Sequence, residues 1–300
     1  MKPSTCTLLK RTAFCGTVAV LAVILVLLLV SLLSPYKCLL DVLNAAITHQ
    51  CTFQSFYGGT PTTPRVRDVI PEIGALEDAF VHIRQELDSV LADHDRIPYM
   101  HNAYDKIFFK QDNKGACTSS AWQIVSELIY GPDTNIFDKI GSKDWRTFNL
   151  IMFNQDIPVN ARRCPVTVSL LKRIPGMQSA LFSIIAPGTY IPPHNDPGKG
   201  VIRYHLALKV PKNRERCFIN VNGEQYNWTE GAGVLFDDIY DHWVLNDTDE
   251  VRVVLFVDIL RPMTGLANLL QQTANFATRF YPGVTRAIQA SAVTAGTAAK

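Results

Sequence analysis

The sequence predicts a mostly β domain with flanking helices, whose strands form a sandwich or barrel such as a jelly roll. Short runs rich in β-branched and aromatic residues follow one another within about 80 residues, separated by Gly, Pro, Asn and Asp. No helical spacer long enough for a parallel crossover lies between them, which disfavours a doubly wound α/β sheet. The six runs are 180–185, 201–210, 217–221, 224–228, 233–236 and 251–260.

A long apolar run precedes this domain. The 21 residues from Ala13 to Leu33 include no charged side chain, and a helix of that length reaches ~30 Å, the thickness of the hydrocarbon core of a bilayer. The apolar part of a cleaved signal peptide is shorter, about 7 to 15 residues, and no clear cleavage site precedes Pro35. We therefore expect a single-pass transmembrane signal anchor at 13–33, within an N-terminal segment 1–34.

The charges beside this run favour a cytoplasmic N-terminus. Lys2, Lys10 and Arg11 precede the run, and positive residues accumulate on the cytoplasmic side of a span. By this criterion the rest of the chain would lie on the far side of the membrane. Residues 35–70 combine Gly, Pro and Thr, so we expect a linker there.

Helical periodicity is present on both sides of the β-rich region. From about 71 to 95, apolar residues recur every three or four positions, which predicts an amphipathic helix packed by one face on the domain. A short helix is expected at 165–174. Residues 263–300 form an amphipathic tail, which we expect to dock on the domain or to lie at a membrane surface.

The composition argues against two classes of site. A formal net charge of +2 without any Lys/Arg block gives no electrostatic footprint for nucleic acid. The seven cysteines are irregularly spaced and include no CxxC pair, which argues against a disulfide framework and against a zinc site. We expect most of them to be small buried residues or thiols close to the membrane.

A turn-rich loop at 187–197 carries the first candidate site. It presents His194 and Asp196 two residues apart, so in an extended chain their side chains point the same way. A second histidine follows at His242. Two imidazoles and one carboxylate on one face of Fe(II) leave three positions for a bidentate keto acid and oxygen. The alternative is that His194 and Asp196 form an ordinary surface pair.

Cationic side chains in two of the β-rich runs form the second candidate site. Arg203 and His205 share one face of their run, which is either the solvent side or the lumen of a small barrel. Arg252 lies in an almost continuously apolar run and needs a partner, because a buried unpaired charge is costly. A bound dicarboxylic acid would pair with it bidentately. Asp258, on the same face, is the alternative internal partner.

An ordered set of motifs runs through residues 145–262. The motifs are Phe182-Ser183-Ile184, Pro187-Gly188-Thr189, His194-Asn195-Asp196-Pro197, Arg203-Tyr204-His205-Leu206, Phe236-Asp237-Asp238, His242-Trp243-Val244, Arg252 to Asp258 and Arg261-Pro262. This set resembles the aspartyl/asparaginyl β-hydroxylase family, and within it the bacterial lipid A 2-hydroxylases. The resemblance implies a 2-oxoglutarate dioxygenase domain at 71–262 with a double-stranded β-helix (cupin-like jelly roll) core at about 163–262.

The resemblance also implies cofactors and the residues that hold them. The cofactors would be Fe(II), 2-oxoglutarate as cosubstrate, and O2. His194 and His242 would bind iron, and Arg252 would pair with the distal carboxylate of 2-oxoglutarate. Asp196 would either complete the iron ligands or orient a water, because animal members that hydroxylate polypeptides have glycine there. The full set expected to hold 2-oxoglutarate is Ser183, Arg203, His205 and Arg252.

Three functions are consistent with these expectations. The leading one is a membrane-anchored dioxygenase that hydroxylates a lipid acyl chain, with the lipid bilayer as partner. The second is an aspartyl/asparaginyl β-hydroxylase of a polypeptide, and the third is a non-catalytic, membrane-tethered binding module. Lipid A enzymes resemble this chain and face the cytosol, whereas the charges around 13–33 favour the opposite side.

Overall fold

The computed structural model describes residues 66–100, 145–194, 200–262, 265–280 and 282–293. The expected anchor at 13–33, residues 35–65 of the expected linker, and Asp196 lie outside these ranges, so these expectations stay predictions. No helix within the described ranges is long and apolar enough to cross a membrane.

Seven helices flank the strands in the described residues. They are α1 (Val66–Val69), α2 (Gly74–Asp78), α3 (Phe80–Leu91), α4 (Pro158–Ala161), α5 (Pro165–Leu171), α6 (Gly265–Thr278) and α7 (Pro282–Ser291). Single 3-10 turns lie at Pro71–Ile73, His94–Arg96 and Arg214–Arg216.

The single helix expected at 71–95 is broken into segments. Ala79, at φ −92° and ψ 12°, separates α2 from α3, and 3-10 turns lie before and after them. The face expected to pack on the domain is nevertheless the buried one, since Ile83, Leu87 and Val90 are all inaccessible to solvent. The helix expected at 165–174 is α5, which ends at Leu171.

Ten strands form two antiparallel sheets in the described residues. The strands are β1 (Trp145–Met152), β2 (Gln155–Asp156), β3 (Met177–Ile185), β4 (Thr189–His194), β5 (Val201–Lys209), β6 (Cys217–Val221), β7 (Glu224–Asn227), β8 (Gly233–Phe236), β9 (His242–Asn246) and β10 (Arg252–Leu260). Their order is β2-β1-β3-β10-β5-β8 in the larger sheet and β4-β9-β6-β7 in the smaller one. The mostly β class is thus confirmed, in a two-sheet arrangement of the jelly-roll kind.

All six β-rich runs form strands, and four further strands were not predicted from the sequence. These are β1, β2, β4 and β9. The last six residues of β1 are all buried, so it shows no alternation of polar and apolar side chains. The β core, expected to begin at about 163, begins at Trp145, because β1 pairs with β3 along most of its length.

The two faces of the larger sheet are buried by different partners. Its outer face shares a core with the helices, which includes Leu87 of α3 and Leu255 of β10. Its inner face and the smaller sheet enclose a second core, which includes Val244 of β9 and Phe256 of β10. Because side chains alternate along a strand, Arg252 faces the same interior as Phe256. The space between the sheets is therefore where the candidate site is built.

Two cysteines are described, Cys164 and Cys217. Both are buried free thiols, in agreement with the expectation that most of the cysteines are small buried residues or thiols close to the membrane. Burial raises the pKa of the Cys164 thiol to about 12, so it behaves as a small apolar residue.

Candidate active site

His194 and His242 lie opposite each other at the end of the smaller sheet. His194 is the last residue of β4 and His242 the first of β9, and the antiparallel register pairs them directly. Their ring centroids are 4.2 Å apart. The fold thus brings together two histidines that are distant in sequence, at a separation from which both rings can reach one metal ion.

Each ring is oriented by a backbone carbonyl two residues earlier. His194 Nδ1 lies 2.8 Å from the carbonyl oxygen of Pro192, and His242 Nδ1 lies 3.0 Å from that of Tyr240. A carbonyl oxygen only accepts hydrogen bonds, so Nδ1 of each ring carries the proton and donates it. The lone pair is then on Nε2, which is the usual arrangement of a metal-binding histidine.

The third expected ligand, Asp196, lies outside the described residues. Within the described ranges no group of three His, Cys, Asp or Glu side chains could hold a metal ion. The described part of the site therefore contributes a histidine pair. A complete iron centre needs ligands in addition to these two side chains.

Arg252 is buried between the sheets with no acidic partner among the described residues. The residue is 1% exposed, and its Nη1 lies 3.5 Å and 3.4 Å from the carbonyl and hydroxyl oxygens of Ser183. Its Nε has no hydrogen-bond partner in the part of the chain that the structure describes, and its Cζ lies 4.5 Å from the ring centroid of Trp228. Burial lowers the pKa of Arg252 to about 10, so the side chain remains charged at neutral pH. A buried cation in this state favours an anionic ligand.

His205 on β5 is a second buried polar group that the described protein atoms leave unpaired. Neither ring nitrogen has a hydrogen-bond partner in the described residues, and Phe236 and Phe256 pack around the ring at centroid distances of 5.0 and 5.3 Å. Burial, followed by the positive charges of Arg252 and Arg203, holds the pKa of His205 well below its ordinary value. The ring is therefore neutral, with one N–H donor and one acceptor available to a ligand.

Ser183 on β3 adds a hydroxyl group beside Arg252. Trp145 Nε1 donates to Ser183 Oγ at 3.0 Å, and Arg252 Nη1 approaches the same oxygen. Because two donors already face this oxygen, its own proton is left to donate to an acceptor. Ser183, His205 and Arg252 together form a set of buried donors for which the described residues supply no matching acceptor, which is the chemistry of a carboxylate-binding site.

Arg203 lies in a different environment from Arg252. Its Nη2 is 3.1 Å from Asp238 Oδ2 and its Nε is 2.9 Å from Asp258 Oδ1. These two carboxylates already balance the charge of Arg203, so no bound anion is required to neutralise this side chain.

Asp258 is therefore not the partner of Arg252, and that alternative is wrong. Asp258 pairs with Arg203 because the register of β10 and β5 places the two residues opposite each other. Six residues of extended chain separate Asp258 from Arg252, which corresponds to ~20 Å along the strand.

Several supporting residues were given no role from the sequence. Trp228 is fully buried against Arg252, and its indole N–H has no partner among the described residues. Asp237 and Arg261, each 1% exposed, form an ion pair at 2.5 Å where β8 leads toward His242. The signal in the sequence was the pair of adjacent acids at the end of an apolar run, Asp237-Asp238.

The Asp237–Arg261 pair braces the turn before His242. The carbonyl of Asp237 accepts a hydrogen bond from the backbone N–H of Tyr240 at 3.3 Å, and Tyr240 in turn supplies the carbonyl that orients the His242 ring. The buried ion pair and the candidate metal ligand are therefore connected through one short turn.

Comparisons with known proteins place this site in a family. The family model described as aspartyl/asparaginyl β-hydroxylase matches residues 77–262. The ornithine lipid ester-linked acyl 2-hydroxylase of Rhizobium tropici is 40% identical over 147 residues, which cover 48% of this chain and 52% of that protein. The aspartate β-hydroxylase domain-containing protein 2 of Homo sapiens is 35% identical over 151 residues, covering 47% of this chain and 39% of that protein.

A third relative is more distant. The aspartyl/asparaginyl β-hydroxylase of Homo sapiens is 32% identical over 140 residues, which cover 45% of this chain and 18% of that protein. The matched segments thus span about half of the Rhizobium protein and less of the two human ones. The family match at 77–262 contains both histidines, Ser183, His205 and Arg252. Because this match extends over more than half of the chain, the protein belongs to the aspartyl/asparaginyl β-hydroxylase family.

Proposed function

We propose that this protein is a membrane-anchored dioxygenase that uses Fe(II), 2-oxoglutarate and O2 to hydroxylate a C–H bond of a lipid acyl chain. The observation that carries the proposal is Arg252, a buried cation without an acidic partner among the described residues. A buried charge left unpaired costs several kcal/mol, so an anion is expected to complete the site. A dicarboxylate such as 2-oxoglutarate provides that anion.

The donors around Arg252 fit one carboxylate of 2-oxoglutarate. The planar guanidinium of Arg252 is suited to bidentate binding of a carboxylate. The Ser183 hydroxyl adds a second donor. His205, held neutral by its surroundings, adds a third without placing another positive charge beside Arg252. Arg203 would contribute indirectly, by keeping β5 and β10 in register through Asp258.

His194 and His242 would hold Fe(II) through their Nε2 atoms, with Asp196 either as a third ligand or as a residue that orients a water. When bound, iron, 2-oxoglutarate and O2 supply the oxidation of an unactivated C–H bond, which side chains alone do not perform. The carbonyls of Pro192 and Tyr240 fix the orientation of the two rings. Apolar side chains of the core between the sheets, such as Val244, keep water from the surrounding space.

Two features support a lipid as substrate. A relative named for acyl 2-hydroxylation of an ornithine lipid is 40% identical over 147 residues. The uncharged run at 13–33 would hold the domain at a bilayer, where acyl chains are available. Relatives named for aspartate or asparagine hydroxylation make a polypeptide the second candidate substrate.

A non-catalytic binding module is the remaining alternative. In such a module nothing would favour burying Arg252 and both nitrogens of His205 without partners among the described residues, since each unpaired buried polar group lowers stability. The unpaired donors therefore favour a cofactor-binding enzyme over a non-catalytic binding module.

Succinate release by the full-length protein tests the enzyme proposal. Release from 2-oxoglutarate, in the presence of lipid extract, should require Fe(II) and fall to background in His194→Ala and His242→Ala. The matched control is His82→Ala, which changes an exposed histidine of α3 and should keep the wild-type rate. A wild-type protein that binds no iron and consumes no 2-oxoglutarate would contradict the proposal.

Mass spectrometry of lipids tests the substrate. Cells that express the protein should contain an acyl chain with one added oxygen, and cells that express His242→Ala should not. If the lipids are unchanged while a polypeptide gains one oxygen on Asp or Asn, the second candidate replaces the first.

A further inference from the structure

Helix α6 docks on the domain by one face and exposes the other. Gln271 is 4% exposed, and its side-chain amide donates to the carbonyl of Gly200. Leu269 and Phe276, by contrast, are 43% and 56% exposed. Residues seven apart lie within ~20° of each other around a helix, so these two side chains share the outward face.

Phe280, just beyond the helix, extends this apolar surface. It is 71% exposed, and its ring packs edge-on against Phe276 with centroids 5.2 Å apart. Leu269, Phe276 and Phe280 are called the α6 stripe below. They are three of the six large apolar side chains that are exposed in the described residues. The stripe is therefore where exposed apolar side chains cluster in this part of the chain.

The segment of the chain that carries the α6 stripe contains basic residues and no acidic ones. From residue 259 to Lys300 the sequence contains no Asp or Glu. Arg279 lies beside the stripe, with its Cζ 5.9 Å from the ring centroid of Phe276, and its Nε has no hydrogen-bond partner among the described residues. Arg286, on α7, is exposed. An apolar stripe with an arginine beside it, in a segment whose charged residues are all basic, suits a helix that lies in the interface of an anionic membrane.

A polar cavity of about 480 Å³ lies next to the stripe. Phe276 and Arg279 line it from the tail, and Lys172 and Gln178 line it from the domain. None of its lining residues, all within the described ranges, is acidic. Lys172 is already paired with Asp156 at 2.5 Å, so Arg279 supplies the uncompensated charge. A guanidinium beside side-chain amides is suited to a phosphate group.

We propose that the α6 stripe binds the surface of an anionic membrane and that the adjacent cavity holds a lipid phosphate against Arg279. The bulky rings of the stripe would lie at the boundary between headgroups and acyl chains, where aromatic side chains are favoured. This surface is separate from the histidine pair, and its binding requires neither iron nor 2-oxoglutarate. It would hold the domain at the bilayer independently of any anchor.

Hydrogen exchange of the full-length protein tests this inference. Exchange of the peptide 265–280 is followed by mass spectrometry with nanodiscs of phosphatidylcholine, alone or mixed with phosphatidylglycerol. We expect slower exchange with the anionic discs, lost in Phe276→Ser/Phe280→Ser. Arg279→Gln should weaken the protection about fivefold, the factor expected for one basic side chain near an anionic surface. The controls are Val81→Ser and Arg96→Gln, which change exposed residues elsewhere and should leave the protection unchanged.

Several outcomes would overturn the inference. Equal exchange with both kinds of disc, or protection that survives Phe276→Ser/Phe280→Ser, would exclude binding of the α6 stripe to an anionic membrane. Protection by inorganic phosphate with phosphatidylcholine discs would assign the cavity to free phosphate, and protection that grows with protein concentration in the absence of lipid would assign the stripe to a second copy of the chain. Strand peptides serve as the folding control. Succinate release is measured separately, so failure here is distinguishable from failure of the proposed function.

Discussion

Arg252 and Arg203 lie on the neighbouring antiparallel strands β10 and β5 with their side chains in the same space between the sheets, but among the described residues only Arg203 is paired with carboxylates. Asp238 and Asp258 lie 3.1 and 2.9 Å from its guanidinium, whereas Arg252 contacts the neutral oxygens of Ser183. The two arginines therefore have different roles, one structural and one available to a ligand. Their substitution should separate folding from cofactor binding.

Arg252→Met should impair cofactor binding without reducing stability. The substitution removes a buried charge that has no acidic partner in the described residues, so the free energy of unfolding should stay the same or rise. The KM for 2-oxoglutarate should rise at least ~30-fold, because breaking a buried charged hydrogen-bonded contact costs 2 kcal/mol or more. Urea unfolding without ligand and succinate release against 2-oxoglutarate concentration measure the two effects. A less stable variant with normal 2-oxoglutarate dependence would contradict this assignment.

Arg203→Met should have the opposite effect on stability. It removes the arginine from the ion pair with Asp238, whose side chain is fully buried, and removing one partner of a buried ion pair costs about 3–5 kcal/mol. Urea unfolding of the ligand-free protein should show this loss. The double variant Arg203→Met/Asp238→Asn removes the carboxylate charge as well and should recover part of the lost stability. Full stability in Arg203→Met alone would mean that the two carboxylates do not depend on this arginine.

The sequence was sufficient for features that depend on local pattern. The six β-rich runs, the buried face of α3 and the two histidines were all identifiable, because apolar alternation and the spacing of rare side chains are local properties. β4 was missed because Pro192 and Pro193 argue against a strand. The two prolines are tolerated because β4 lies at the edge of its sheet, where a missing N–H costs no ladder hydrogen bond.

The side chains that contact the two arginines could not be predicted from the sequence, for a different reason. Which carboxylate meets Arg203 depends on the register of β5 with β10 and on the path of the chain after β8. A shift of one residue would turn every side chain to the other face. The pattern of apolar residues therefore identified a face with Arg203 and His205 but not what that face contacts.

His205 should make the ligand-free protein lose stability in mild acid. The unfolded chain takes up a proton on this residue near pH 6.5, whereas burial and the neighbouring arginines hold the pKa of the folded ring well below that value. The unfolded chain therefore binds this proton more readily than the folded protein. The free energy of unfolding is unaffected by His205 above pH 6.5 and decreases as pH falls below it, by up to ~1.4 kcal/mol per pH unit. His205→Gln cannot titrate, so its free energy of unfolding should fall less between pH 7 and pH 5. His82→Gln, at an exposed position, should keep the wild-type slope, and an unchanged slope in His205→Gln would refute the prediction.

The Asp237–Arg261 pair should influence metal binding through the turn before His242. Asp237→Ala breaks a buried ion pair by removing one of its two charges, so we expect a loss of stability of about 3–5 kcal/mol. The affinity for Co(II), used as a spectroscopic substitute for iron, should fall about 10- to 100-fold, as for other groups that orient a metal ligand. In Asp237→Leu/Arg261→Met both charges are replaced by apolar side chains, so stability should return. Metal affinity should remain low, because the turn that carries the Tyr240 carbonyl is no longer braced. Recovery of both properties in the double variant would show that the pair serves folding alone.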